Sequence, residues 1–130
     1  MAANPYHVIR NETATPMDLW DRGYRRCLGL LQKAKNLMPP AGPAQRMEKA
    51  RMLHDAFAIV EFWMAALPPD PSVQDTDPRR LEGLPPRLRL AYGYVLHRIV
   101  KANMDDRRED VDEAIAMLNH LSAVFHQKTS

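Results

Sequence analysis

One cysteine in 130 residues leaves Cys27 with no partner for an internal disulfide, a usage that fits a reducing compartment. No apolar run approaches the roughly 18 residues that a membrane-spanning helix needs, so no stable insertion is expected. The N-terminal Met-Ala-Ala-Asn-Pro-Tyr lacks a basic stretch and an apolar stretch, so a secretory signal is not expected and a cytoplasmic location is. Serine is confined to Ser72, Ser122 and Ser130, none in a nucleophile motif, and the five glycines form no phosphate-cradling loop. His7, His54, His97, His120 and His126 include no pair at the i, i+4 spacing that grips a metal on one helix face. The eight methionines read as core filler at helical spacing rather than as ligands for haem or copper. These absences point away from an enzyme and imply no cofactor and no metal.

Charge of one sign is also lacking. Eighteen basic and sixteen acidic residues give a net charge of +2. Basic pairs at Arg25-Arg26, Arg79-Arg80 and Arg107-Arg108 have acids nearby in sequence, with Asp21 near the first. Such mixing reads as solvated helix surface, and nucleic acid is not expected as a partner.

What is present is helical periodicity cut by prolines. Pro39-Pro40, Pro68-Pro69 and Pro85-Pro86 divide the chain into blocks, because proline inside a helix costs about 3 kcal/mol. The first block spans residues 16–37, with Thr15 as N-cap, Pro16 at the first helical position and Asp18 as capping-box acid. Its apolar stripe is Trp20, Tyr24, Cys27, Leu28, Leu31, Ala34 and Met38. The second spans residues 44–67 with a stripe from Met47 through Leu53, Ala56, Phe57 and Val60 to Leu67. The third spans residues 86–104, striped by Leu88, Tyr92, Val95, Ile99 and Ala102. The fourth begins after Asp106, which with Glu109 has capping-box spacing, and carries Val111, Ala114, Leu118 and Leu121. The fold class expected is all-α: an antiparallel four-helix bundle over residues 15–127, with a leader at 1–14 and a proline-rich loop between helices 2 and 3.

The second and third helices carry more apolar surface than a bundle needs. Phe57, Ile59, Phe62 and Trp63 on one, with Tyr94, Leu96 and Val100 on the other, lie beyond a single stripe. Gly93 inside the third helix costs about 1 kcal/mol against alanine, which suggests that something approaches closely there. Surplus apolar surface marks a partner site, and an amphipathic segment laid in a groove is a standard way to fill it. A homodimer through the same surface, or cover by the leader or the long loop, would also account for it.

The pair Tyr92-x-Tyr94 with downstream Ala102-Asn103, an acidic turn and a further amphipathic helix resembles the C-terminal half of the flagellar export chaperone family (FliS). The front of the chain is similar too, with Asn4-Pro5-Tyr6 in the leader and Thr15-Pro16-Met17-Asp18-Leu19 opening the first helix. It departs from the family at Gly23-Tyr24-Arg25-Arg26, where Leu-Tyr-Asp-Gly is usual, and in its pI of about 8.9. The resemblance implies a chaperone that binds the disordered C-terminal segment of flagellin, prevents premature polymerisation and serves type III flagellar secretion. The implied client groove is Phe57, Ile59, Phe62, Trp63, Tyr92, Tyr94, Leu96, Val100 and Asn103, with Tyr6, Val8 and Ile9 of the leader as a displaceable plug. A different flagellar protein as client, a helical homodimeric adaptor, and a regulator binding nucleic acid through its arginines are the other readings. Steep salt dependence would mark the last of these.

Overall fold

A computed structural model describes residues 15–68 and 84–127. These form four helices: α1 (Pro16–Asn36), α2 (Pro43–Ala65), α3 (Leu84–Asp105) and α4 (Arg108–His126). Each packs on two neighbours, α1 against α2 and α4, and α3 against α2 and α4, closing a ring around one core. Contacts pair the start of each helix with the end of the next: Gly23 meets Trp63, Lys49 reaches Asn103, and Lys35 pairs with Asp112 at 2.6 Å. The all-α antiparallel four-helix bundle expected from the sequence is therefore the fold among the described residues.

The start of α1 follows the sequence closely. Thr15 Oγ1 accepts the Asp18 N–H at 3.0 Å, and Asp18 Oδ2 accepts the Thr15 N–H at 3.3 Å, so both halves of the capping box form. Trp20, Cys27, Leu31 and Ala34 face inward from it. From α3, Leu88, Tyr92, Val95, Ile99 and Ala102 are all buried, as their spacing predicts. Val111, Ala114, Leu118 and Leu121 complete the core from α4.

Three local expectations are corrected. α3 starts at Leu84, two residues before the expected 86, so Pro85 joins Pro86 within its first turn, where a missing N–H breaks no helical hydrogen bond. Asp106 does not cap α4. It takes a left-handed backbone (φ 53°) in the turn, while Arg107 stands at the N-cap with no side-chain capping bond. Met47, assigned to the α2 stripe, is 74% exposed, and Lys49 is only 1% exposed. The reason lies at the end of α3. Lys49 Nζ donates to the Asn103 carbonyl at 3.1 Å and to the Asp106 carboxylate. A cation is favoured there by the partial negative charge of the helix C-terminus. Arg46 approaches the same carboxylate at 3.5 Å, and the paired cations, Lys49 first, hold the Asp106 carboxyl below its ordinary value.

Candidate partner-binding groove

Residue Gly23 sets the distance between α1 and α2. A Cβ there would stand 2.9 Å from Trp63 Cζ2 and 3.3 Å from Ile59 Cγ2, so only glycine admits the indole this close. Trp63 stacks on Trp20 with ring centroids 4.8 Å apart, and Trp20 stacks on Tyr24 at 5.2 Å and meets the edge of Phe125 at 4.8 Å. Trp20 Nε1–H donates to the Tyr92 hydroxyl at 3.0 Å. Burial raises the Tyr92 pKa above its usual value, and the Trp20 hydrogen bond opposes that shift in part.

This aromatic layer floors an open groove of about 670 Å³. Leu19 rises on the α1 bank, 56% exposed, and Phe62 on the α2 bank, 72% exposed. Pro16, Ile59, Ala66 and Leu67 complete its wall. Two of the floor's polar groups, the Trp20 N–H and the Tyr92 hydroxyl, pair with each other, and the rest of the lining is almost wholly apolar, a surface suited to desolvating apolar groups. Among the described residues no group of three or more His, Cys, Asp and Glu side chains stands close enough to hold a metal.

Two further concavities flank α3. One of about 260 Å³, between α2 and α3, is lined by His54, Phe57, Val100, Asn103 and Met104. The other, of about 460 Å³ between α3 and α4, is lined by Leu90, Tyr94, Met117, His120 and Val124. The nine groove positions named from sequence and resemblance thus do not share one groove. Ile59, Phe62, Trp63 and Tyr92 line the first, Phe57, Val100 and Asn103 the second, and Tyr94 the third. Leu96 is half-buried against the core. The separation follows from the 100° turn per residue: Phe57 and Phe62 fall on opposite flanks of α2, as Val100 and Tyr94 do on α3.

No protein family, curated protein or solved structure matches the chain.

Two of the nine, Trp63 and Tyr92, are largely buried in the aromatic layer and meet the groove only as its floor. Tyr94 is held in place, its hydroxyl 3.3 Å from Glu113 Oε2 and its ring 5.1 Å below the Arg98 guanidinium. Asn103 gives its carbonyl to Lys49. Tyr6, Val8 and Ile9 lie outside the described residues. Leu19 and Leu67 were missed as groove residues. Leu19 sits off the α1 stripe, a signal available in the sequence, whereas the period places Leu67 in the α2 core stripe and α2 instead ends at Ala65, so Leu67 turns to the groove wall.

Cys27 is fully buried, its thiol 3.8 Å from the Ala56 carbonyl, and burial pushes its pKa up to about 12. A thiol in that state is a small hydrophobe and not a nucleophile.

Proposed function

We propose that this chain is a cytoplasmic export chaperone that binds the disordered C-terminal segment of flagellin, keeps it from polymerising and hands it to the flagellar secretion apparatus. The observation that carries the reading is the groove between α1 and α2, with Leu19 and Phe62 exposed above an aromatic floor in which the Trp20 N–H and the Tyr92 hydroxyl pair with each other. Covering each of those side chains is worth about 1.5–3 kcal/mol, enough for a bound helix to anchor on the pair. The separate concavities beside α3 suit a client that wraps several flanks, as segments that fold on binding do. The client's identity as flagellin comes from the motifs Tyr92-x-Tyr94, Ala102-Asn103 and Thr15-Pro16 that resemble the flagellar chaperones. By the same resemblance Tyr6, Val8 and Ile9 of the leader would compete with the client for the groove.

The test is titration calorimetry with the C-terminal segment of flagellin from the same organism. Binding near one to one with a negative heat-capacity change is expected. The double substitution Leu19→Ser, Phe62→Ser removes exposed side chains, so helicity and melting should hold while affinity falls by about a hundredfold or more. Absence of binding by the parent protein, or full binding by the variant, would overturn the reading.

A further inference from the structure

The side of α2 that faces away from the bundle carries a line of its own. Ala44, Met47, Arg51, Asp55, Ala58 and Phe62 recur at intervals of three and four, which keeps them within about 80° of arc. Lys49, Leu53, Ala56 and Val60 turn the other way, into the core. Of the six outer residues Asp55 is half-buried and the rest are exposed, Met47 at 74% and Phe62 at 72%. Large apolar side chains left in water beside small ones mark a surface that packs on something.

The charges on this side of α2 are only partly matched within one molecule. Arg51 stands four residues before Asp55, the weaker order for a pair within a helix, and it turns back to Glu48 at 2.7 Å instead. Among the described residues Asp55 forms no ion pair, and neither does the exposed Glu61. At the other end of the helix, the N-cap Gly42 makes no side-chain capping bond to the first N–H groups of α2. A cation, two acids and an uncapped helix start, spaced along one face, have a definite complement in the same face turned end to end.

We infer that two copies of this chain pair through the outer face of α2, with the two helices antiparallel about a two-fold axis level with Leu53. The spacing sets the register. Arg51 and Asp55 lie two residues either side of Leu53, so each arginine meets the other copy's Asp55 and the four charges alternate around the axis. Ala44 and Phe62 lie nine residues either side and, about five full turns apart, share one lateral position. Each exposed ring therefore lands on an alanine of the other copy. Met47 and Ala58 come within one residue of the same match. Glu61 comes level with Gln45, over the uncapped start of the other α2, where an anion is favoured. Large meets small and charge meets opposite charge at each level, and symmetry makes every match twice. A nucleic-acid strand would meet one cation against two acids here. Ala58 and Phe62 also line the α1–α2 groove, so pairing shields that groove's exposed ring, whatever the groove binds.

Sedimentation velocity of the full chain, from about 1 µM to about 500 µM in about 50 mM salt, tests the pairing. A monomer–dimer equilibrium with a Kd on the order of tens of micromolar is expected, because one helix per copy makes a small interface. R51D and D55R each set like charges across the axis twice, so each should weaken the dimer about tenfold. F62S should weaken it about tenfold or more. Circular dichroism of all three should match the parent, since none of these side chains belongs to the core. The decisive arm mixes the two charge variants. R51D is acidic at both positions and D55R is basic at both, so a mixed dimer recovers every opposite-charge pair. It should form about as tightly as the parent dimer. A parent that stays monomeric throughout, a dimer indifferent to R51D and F62S, or charge variants that associate no better mixed than alone would overturn the inference. A monomeric parent that dimerises once residues 1–14 are removed would give the face to the leader and overturn it equally. None of these outcomes depends on flagellin, whose own titration judges the proposed function separately.

Discussion

At the scale of single residues, two glycines carry opposite meanings. Gly93 lies in the middle of α3, and its sequence position suggested a close approach. A Cβ there meets only the Met64 methyl at 3.8 Å, ordinary contact distance. The close approach is at Gly23, where the added carbon would stand 2.9 Å from an indole held between Trp20 and Tyr92. G93A should therefore stabilise the fold by about 0.5–1 kcal/mol, since alanine restricts the unfolded chain and suits the helix. G23A gains the same propensity but must displace a locked ring, and overpacking costs about 1–3 kcal/mol. A net loss of about 1 kcal/mol is expected for it. Urea denaturation of both variants checks the pair, and equal midpoints would show that the α1–α2 spacing does not depend on glycine. The two glycines look alike in sequence because the partner ring comes from a residue forty positions away. No local pattern encodes that separation.

At the scale of elements, legibility varies with how far each signal reaches. The α1 capping box is a four-residue matter, and Thr15 and Asp18 declare it. The α3 stripe needs only the 3.6-residue period. The α3–α4 turn was misread because Asp106 and Glu109 fit a capping box locally, while Lys49, fifty-seven residues earlier, claims the Asp106 carboxylate. That pairing has a pH signature. Lys49 and Arg46 hold the Asp106 carboxyl below its unfolded value of about 3.9, so its contribution to stability is fully present above that range. It is lost as pH falls through the lower folded value. D106N should cost on the order of 2–3 kcal/mol at neutral pH, because it leaves Lys49 buried without its counter-charge. The variant's stability should also decline less steeply below about pH 4 than the parent's. Urea titrations at a series of pH values measure both effects. A D106N protein as stable as the parent at neutral pH would show that Lys49 needs only the Asn103 carbonyl.

At the scale of the molecule, the four stripes meet in one ring, and Cys27 sits near its centre. The stripes themselves were readable, but the order in which helices touch decides which surplus residues end up together. Phe57 and Phe62 belong to one helix and serve different concavities because α1 and α3 stand on opposite sides of α2. The aromatic floor draws on three helices and Phe125 of the fourth, so no single helix can leave without breaking it. That interdependence predicts one cooperative transition, and the buried thiol reports on it. With its pKa pushed up to about 12 and no exposed surface, Cys27 should react with a disulfide reagent only through opening of the bundle. In a urea series, the labelled fraction after a fixed pulse should follow the loss of helicity, with coincident midpoints. A segment bound in the α1–α2 groove should slow labelling by the factor 1 + [L]/Kd, since it binds the closed state alone. Labelling well before helicity is lost would mean that α1 swings away by itself. The groove would then be a transient surface of a loosened bundle and not a preformed site.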